Sequence, residues 1–123
     1  SFLLNNSDAV HGSRVQVEIF RAGDGIHYPR KGNWVTIHYN AYLSRGASLF
    51  ESSRDRGKPL RFRIGAEQIP RGINDGVSLL SKGERAKIVI PPALGFGEMG
   101  LPGLVPPDAG LIYDVELLNI ADH

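Results

Sequence analysis

Trp34-Val35-Thr36-Ile37-His38-Tyr39-Asn40-Ala41-Tyr42-Leu43 decides the architecture of this chain. Val35, Ile37, Tyr39, Ala41 and Leu43 fall on one side of a period-two repeat, with Thr36, His38 and Asn40 on the other, the signature of a half-buried strand. Working outward, Ser44-Arg45-Gly46 reads as a hairpin turn into Leu49 and Phe50. Leu60, Phe62 and Ile64 then alternate with Arg61 and Arg63, and Gly65 ends that strand. Upstream, Val15, Val17 and Ile19 alternate with Arg14, Gln16 and Glu18, and Ala22-Gly23-Asp24-Gly25 turns the chain. Two further strands are expected over residues 85–90, with Ala86, Ile88 and Ile90 inward, and over residues 111–120. One helix is expected from about Pro70, which suits a first helical turn; Ile73, Val77 and Leu80 share a face, while Gly72 and Gly76 weaken it. Strands outnumber helix, so the class is α+β, an antiparallel sheet packed on one short helix.

The whole chain is 123 residues, room for one domain. Fourteen Lys plus Arg against thirteen Asp plus Glu give a net charge of +1, which exerts no strong pull on nucleic acid or an anionic membrane. Cysteine is absent, so thiolate nucleophiles, disulfides and Cys-based zinc sites are excluded. The longest apolar runs fall far below the roughly 18 residues of a membrane span. Fifteen Gly and eight Pro exceed the usual combined share of about 12% and predict many turns. Residues 1–13 read as a flexible tail and residues 14–123 as the folded domain. The tail lacks the basic start of a signal peptide, which leaves the cytoplasm as the default compartment, and its Asn5-Asn6-Ser7 triplet matches a glycosylation acceptor of little weight. A monomer is expected, because no apolar edge stands out.

Residues 91–110 are too rich in Pro and Gly for regular structure, yet Leu94, Phe96, Met99, Leu101, Leu104 and Val105 are too apolar for a solvated linker. The loop is expected to pack over something, with a pocket rim the natural candidate. Within it, Gly95-Phe96-Gly97-Glu98-Met99-Gly100 matches G-x-G-x-x-G, but the prolines that follow leave no helix N-terminus for a pyrophosphate. His11, His27, His38 and His123 lack metal-ligand spacing, so no metal or cofactor is expected. Arg54, Arg56, Lys58, Arg61, Arg63 and Arg71 read as a solvated face, and Asp114 and Glu116 as the outward phase of a strand. An aromatic set remains: Tyr39, Phe50, Phe62, Phe96 and Tyr113. Periodicity alone leaves core packing and a binding pocket both open, and favours core.

Five separated segments add a second line of argument: Val35-Thr36-Ile37-His38-Tyr39, Phe50-Glu51-Ser52-Ser53-Arg54-Asp55-Arg56, Gly83-Glu84-Arg85-Ala86-Lys87, Pro102-Gly103-Leu104-Val105-Pro106-Pro107 and Tyr113-Asp114-Val115-Glu116-Leu117-Leu118. In order and spacing they resemble the FKBP family, the tacrolimus- and rapamycin-binding immunophilins that isomerise peptidyl-prolyl bonds. The resemblance covers about residues 15–120. It implies a curved five-stranded antiparallel sheet wrapped around one short helix. It also implies an apolar cup for a proline ring, with Tyr39, Phe50, Glu51, Phe96 and Tyr113 as catalytic residues. Arg56, Leu60, Phe62, Ile69, Pro70, Ile73, Leu101, Leu104 and Val105 would complete the substrate contacts.

The sequence departs from that family's pattern in informative places. Ile73 stands where a Trp floor is usual, Glu51 where Asp is usual, and Phe96 where a Tyr hydroxyl is usual. Pro70 has no N–H at a position where the family uses a backbone donor. One extra residue lies between Tyr39 and Phe50. The resemblance therefore implies retained binding of proline-containing peptides, reduced isomerase activity and weak affinity for macrolides such as tacrolimus and rapamycin. Two other readings compete: a family-like binding module that grips a protein partner with little catalysis, and a β-rich adaptor whose aromatic set is core.

Overall fold

The computed structural model describes residues 14–123. The expected tail, residues 1–13 with its Asn-Asn-Ser triplet, lies outside them. The elements in chain order are β1 (Gln16–Arg21), β2 (Trp34–Leu43), β3 (Leu49–Ser52), β4 (Leu60–Arg63), α1 (Arg71–Val77), β5 (Arg85–Ile90) and β6 (Leu111–Ala121). All pairings are antiparallel, in the order β1-β5-β6-β2-β3, with β4 also on β2. β4 pairs with the first half of β2, Trp34 to Arg63 through Ile37 to Leu60, and β3 with the second, Asn40 to Ser52 and Ala41 to Glu51. Six strands thus occupy five positions. The sheet is the α+β arrangement expected from the alternation, with one edge strand broken in two.

Register slips mark the β2–β6 ladder between Thr36 and Ile37 and the β2–β3 pair between Ala41 and Tyr42. Such bulges bend and twist a sheet locally, which lets one face cup around the helix. That face carries Val35, Ile37, Tyr39 and Ala41 from β2 and Leu111, Tyr113, Val115 and Leu117 from β6. Ala86, Ile88 and Ile90 join from β5, and Ile73, Val77 and Leu80 close the core from the helix side. Gly72 and Gly76 are what bring α1 so close. A Cβ on Gly72 would run into Ile90, and one on Gly76 would come within 2.6 Å of Ile88 Cγ2. Each glycine weakens the helix by about 1 kcal/mol relative to Ala, but the sheet leaves no room for a methyl there.

Three expectations are corrected. Ile19 is 46% exposed, because β1 is an edge strand whose register with β5 slips between Ile19 and Arg21. On β5 burial is not confined to alternate residues: Lys87 and Val89 are also buried, and Lys87 Nζ lies 3.8 Å from Glu18 Oε2. The 91–110 loop contains regular pieces, a 3₁₀ turn at Pro92–Leu94 and an isolated bridge between Leu101 and Val105.

Candidate active site

Near β3, β2 and β6 each turn one aromatic residue inward, Tyr39 and Tyr113. The Tyr39 and Tyr113 rings stack at 5.5 Å between centroids and 26° between planes. Phe50 meets Tyr113 edge-on at 6.3 Å and 80°. Both are favourable aromatic geometries. Tyr39, Phe62, Ile73, Val105 and Tyr113 are buried in the core cluster, with Phe50, Leu60, Ile69, Phe96 and Leu101 partly buried against it. The structure thus brings most of the expected set together. Arg56 and Leu104 are exposed at the margin, Leu104 at 49%, and Pro70 caps the start of α1 with extended ψ, contributing a ring but no donor.

One polar chain crosses these rings. The Tyr39 hydroxyl donates to Glu51 Oε1 at 2.6 Å and accepts from Arg56 Nη1 at 3.2 Å. Arg56 Nη1 also lies 3.3 Å from Glu51 Oε2, and its guanidinium sits 5.6 Å from the Tyr39 ring centroid. Glutamate's longer side chain therefore reaches the hydroxyl directly. Burial first, and the bond to Glu51 second, push the Tyr39 phenol up to about 12, with Arg56 opposing. Tyr39 is protonated near neutrality and serves as a donor. Burial, helped by the charge of Glu51, drives the Tyr113 phenol still higher.

Ser53 holds Tyr39 in place and was not legible as a site residue. It is fully buried where β3 and β4 part, and its backbone N–H and hydroxyl both donate to the Tyr39 carbonyl, at 2.9 and 3.2 Å. The Tyr39 N–H donates back to Ser53 Oγ at 2.7 Å, and His38 Nδ1 lies 2.9 Å from the same oxygen. The backbone groups of β2 that the broken edge strand leaves open are thus satisfied by one serine. The neighbouring Ser52 hydroxyl donates to Asn40 Oδ1 at 2.6 Å. Two small polar residues interrupting a strand pattern were the available signal.

The rim is the loop after β5. Leu94 and Val105 are buried, Phe96 and Leu101 lean on the core, and Met99 stands out at 87% exposure. Leu101 and Val105 exchange two backbone bonds of 2.8 Å, and the Leu104 N–H reaches the Leu101 carbonyl at 2.9 Å across Pro102-Gly103. Pro followed by Gly at φ +82° suits a type II turn. Gly100, at φ +63°, passes so close under the Val105 carbonyl that a Cβ there would collide with it. Among the described residues no group of three or more His, Cys, Asp or Glu is arranged to hold a metal ion.

Residues 26–118 match the family model described as FKBP-type peptidyl-prolyl cis-trans isomerase. The chain is 50% identical over 105 residues to FK506-binding protein 1 of Debaryomyces hansenii, covering 85% of this chain and 93% of the relative. Over 106 residues it is 46% identical to peptidyl-prolyl cis-trans isomerase Fkbp12 of Drosophila melanogaster, covering 86% and 97%. Among solved structures, the N-terminal domain of FKBP42 from Arabidopsis thaliana superposes with a TM-score of 0.83 at 28% identity, over 89% of this chain and 87% of that one. FkpA from Escherichia coli gives 0.78 at 36% identity over 87% of this chain, which spans about half of FkpA, 48%. A curved antiparallel sheet on one helix, a cluster of aromatic rings packed on its concave face and identity near one half across most of the chain lead to one assignment: this chain belongs to the FKBP-type peptidyl-prolyl cis-trans isomerase family.

Proposed function

We propose that the chain isomerises exposed X-Pro bonds by seating the proline ring in the cup of Tyr39, Phe50, Phe96 and Tyr113, with Ile69, Pro70 and Ile73 beneath it. The observation that carries this reading is the stacked Tyr39–Tyr113 pair, with Phe50 edge-on and the Glu51–Tyr39–Arg56 chain across it. The reaction needs no nucleophile. The barrier of roughly 18–20 kcal/mol is amide resonance lost as the C–N bond twists. The cis form of an X-Pro bond lies only about 0.5–1 kcal/mol above trans, so catalysis acts on the barrier. A dry aromatic wall accommodates the twisted, less dipolar amide better than the planar one, which is differential binding of the transition state. Glu51 and Arg56 would orient the flanking peptide, with Leu101, Leu104 and Val105 along its path and Leu60 and Phe62 supporting the wall.

Two donors are missing from this cup, a hydroxyl at Phe96 and an N–H at Pro70. Each hydrogen bond is worth about 0.5–1.5 kcal/mol net, so together they lower rate or affinity by about five- to a hundredfold. Reduced turnover and weak binding of tacrolimus-type macrolides follow. Proline-containing peptides or proteins are the partners, with the chain acting as a monomer; a cytoplasmic setting is proposed alongside the finding that no helix among the described residues is long and apolar enough to cross a membrane.

Exchange NMR on Leu-Pro and Phe-Pro peptides, with and without catalytic amounts of the protein, tests this reading. Faster cis/trans exchange is the expected result. Peptide shift changes without acceleration would overturn it in favour of a proline-binding module that grips a partner.

A further inference from the structure

Tyr113 differs from every other polar residue of the cup. It lies on the concave face in the middle of β6, opposite Ala41 of β2 and Ile88 of β5, with its ring against those of Tyr39 and Phe50. Only 2% of it is exposed. The Tyr39 hydroxyl has two partners, whereas that of Tyr113 has none among the described residues. Yet no side-chain polar atom among them is both sealed off and unpartnered. The small exposed part of Tyr113 therefore includes its hydroxyl. Burial first, and the nearby Glu51 and Tyr39 second, keep that hydroxyl protonated and able to donate. A bound group that offers an acceptor can take up that hydroxyl's donor in place of solvent.

We propose that the Tyr113 hydroxyl donates a hydrogen bond to the prolyl nitrogen as the X-Pro bond twists, which makes Tyr113 a catalytic residue and not only a wall. In the planar amide the nitrogen lone pair is delocalised and accepts poorly; in the twisted amide it is localised on nitrogen, and a donor beside it stabilises that state alone. The nitrogen is a ring atom and enters the cup with the pyrrolidine. The preceding carbonyl is exocyclic and is directed towards the rim. No proton is transferred, because the bond forms and breaks with each passage through the twisted state. This donor also offsets part of what Phe96 and Pro70 lack.

The inference rests on the isomerase reading, and Tyr113→Phe separates the two. The variant keeps the ring, so an unchanged melting temperature is expected. Its kcat/KM for a Leu-Pro peptide by exchange NMR is expected to fall about 3- to 10-fold, with the peptide Kd from NMR titration within about twofold. A variant as fast as wild type, or one whose affinity falls as much as its rate, overturns the donor role and leaves the isomerase intact. A wild type that does not accelerate exchange overturns both.

Discussion

The proposed cup has two halves built on different principles. Its wall, Tyr39 and Tyr113, belongs to the β2–β6 ladder, which pairs from Trp34–Ala121 to Leu43–Leu111 with one register slip between Thr36 and Ile37, and to the core beneath it. Its rim, residues 96–105, is held by one isolated bridge, a tight turn and glycines at positive φ: Gly97, Gly100 and Gly103. Side chains set by a sheet are fixed by the same ladder that stabilises the fold, whereas those set by a loop rest on fewer backbone bonds, even where, as with Val105, Phe96 and Leu101, they reach the core. Lesions in the wall should register first in stability, and lesions in the rim first in turnover.

The largest effect expected from this contrast is in the wall. Tyr113→Ala removes a buried aromatic side chain that touches two others, and should destabilise the fold by about 3–5 kcal/mol in urea or thermal unfolding. A loss below about 1 kcal/mol would show that the wall is not tied to the core. In the rim, Gly100→Ala places a methyl against the Val105 carbonyl at a strained φ, so the loop must shift. Stability should fall by only about 1–2 kcal/mol, while kcat/KM drops about tenfold as Phe96 is displaced. Equal losses in both quantities would dissolve the distinction.

The smallest effect is in the pH dependence, and it also divides by region. Away from the cup, hydrogen bonds from the His27 side chain first, then from the Ile26 and His27 backbones, pull the exposed Asp24 carboxyl down to about 2. Arg21 and Arg54 lower that of Glu116. Folding favours the ionised form of both, so this stabilisation is present above about pH 4 and is lost as pH falls towards 2. In the wall, folding favours the neutral phenol of Tyr39, whose ionisation is pushed up to about 12. The unfolded chain releases that proton near pH 10, so stability declines as pH rises from about 10 to 12. Tyr39→Phe should lessen the alkaline decline, leaving the part due to the buried Tyr113 phenol, and leave the acid one unchanged in pH-dependent melting.

The wall was legible in the sequence and much of the rim was not, for the same reason. The period-two pattern of Trp34–Leu43 has one physical cause, a pleated strand with one buried face, and the strand occupies the bounds it predicts. The helix from Pro70 was legible through Ile73 and Val77, although it ends at Val77 and Leu80 lies beyond it, but the role of Gly72 and Gly76 was not, because a helix glycine reads as weakness until the sheet beneath it is placed. Ser53 left only a faint signal, two small polar residues interrupting a strand pattern, because its burial depends on a break between two strands, which is a tertiary event. The loop could be read as packed, from its apolar residues, but not as a turn on a bridge. That the Tyr113 hydroxyl has no partner among the described residues depends on the packing of β2, β3 and β6, which no local pattern records.

The central claim is that a complete wall works beneath a rim short of donors. Exchange NMR on one Leu-Pro peptide, with the wild-type chain and Phe96→Tyr compared under identical conditions, tests it most directly. The account predicts catalysed exchange by the wild type and a further gain of about 2- to 10-fold on restoring the rim hydroxyl. No catalysis by the wild type, or no gain from the added hydroxyl, would contradict it.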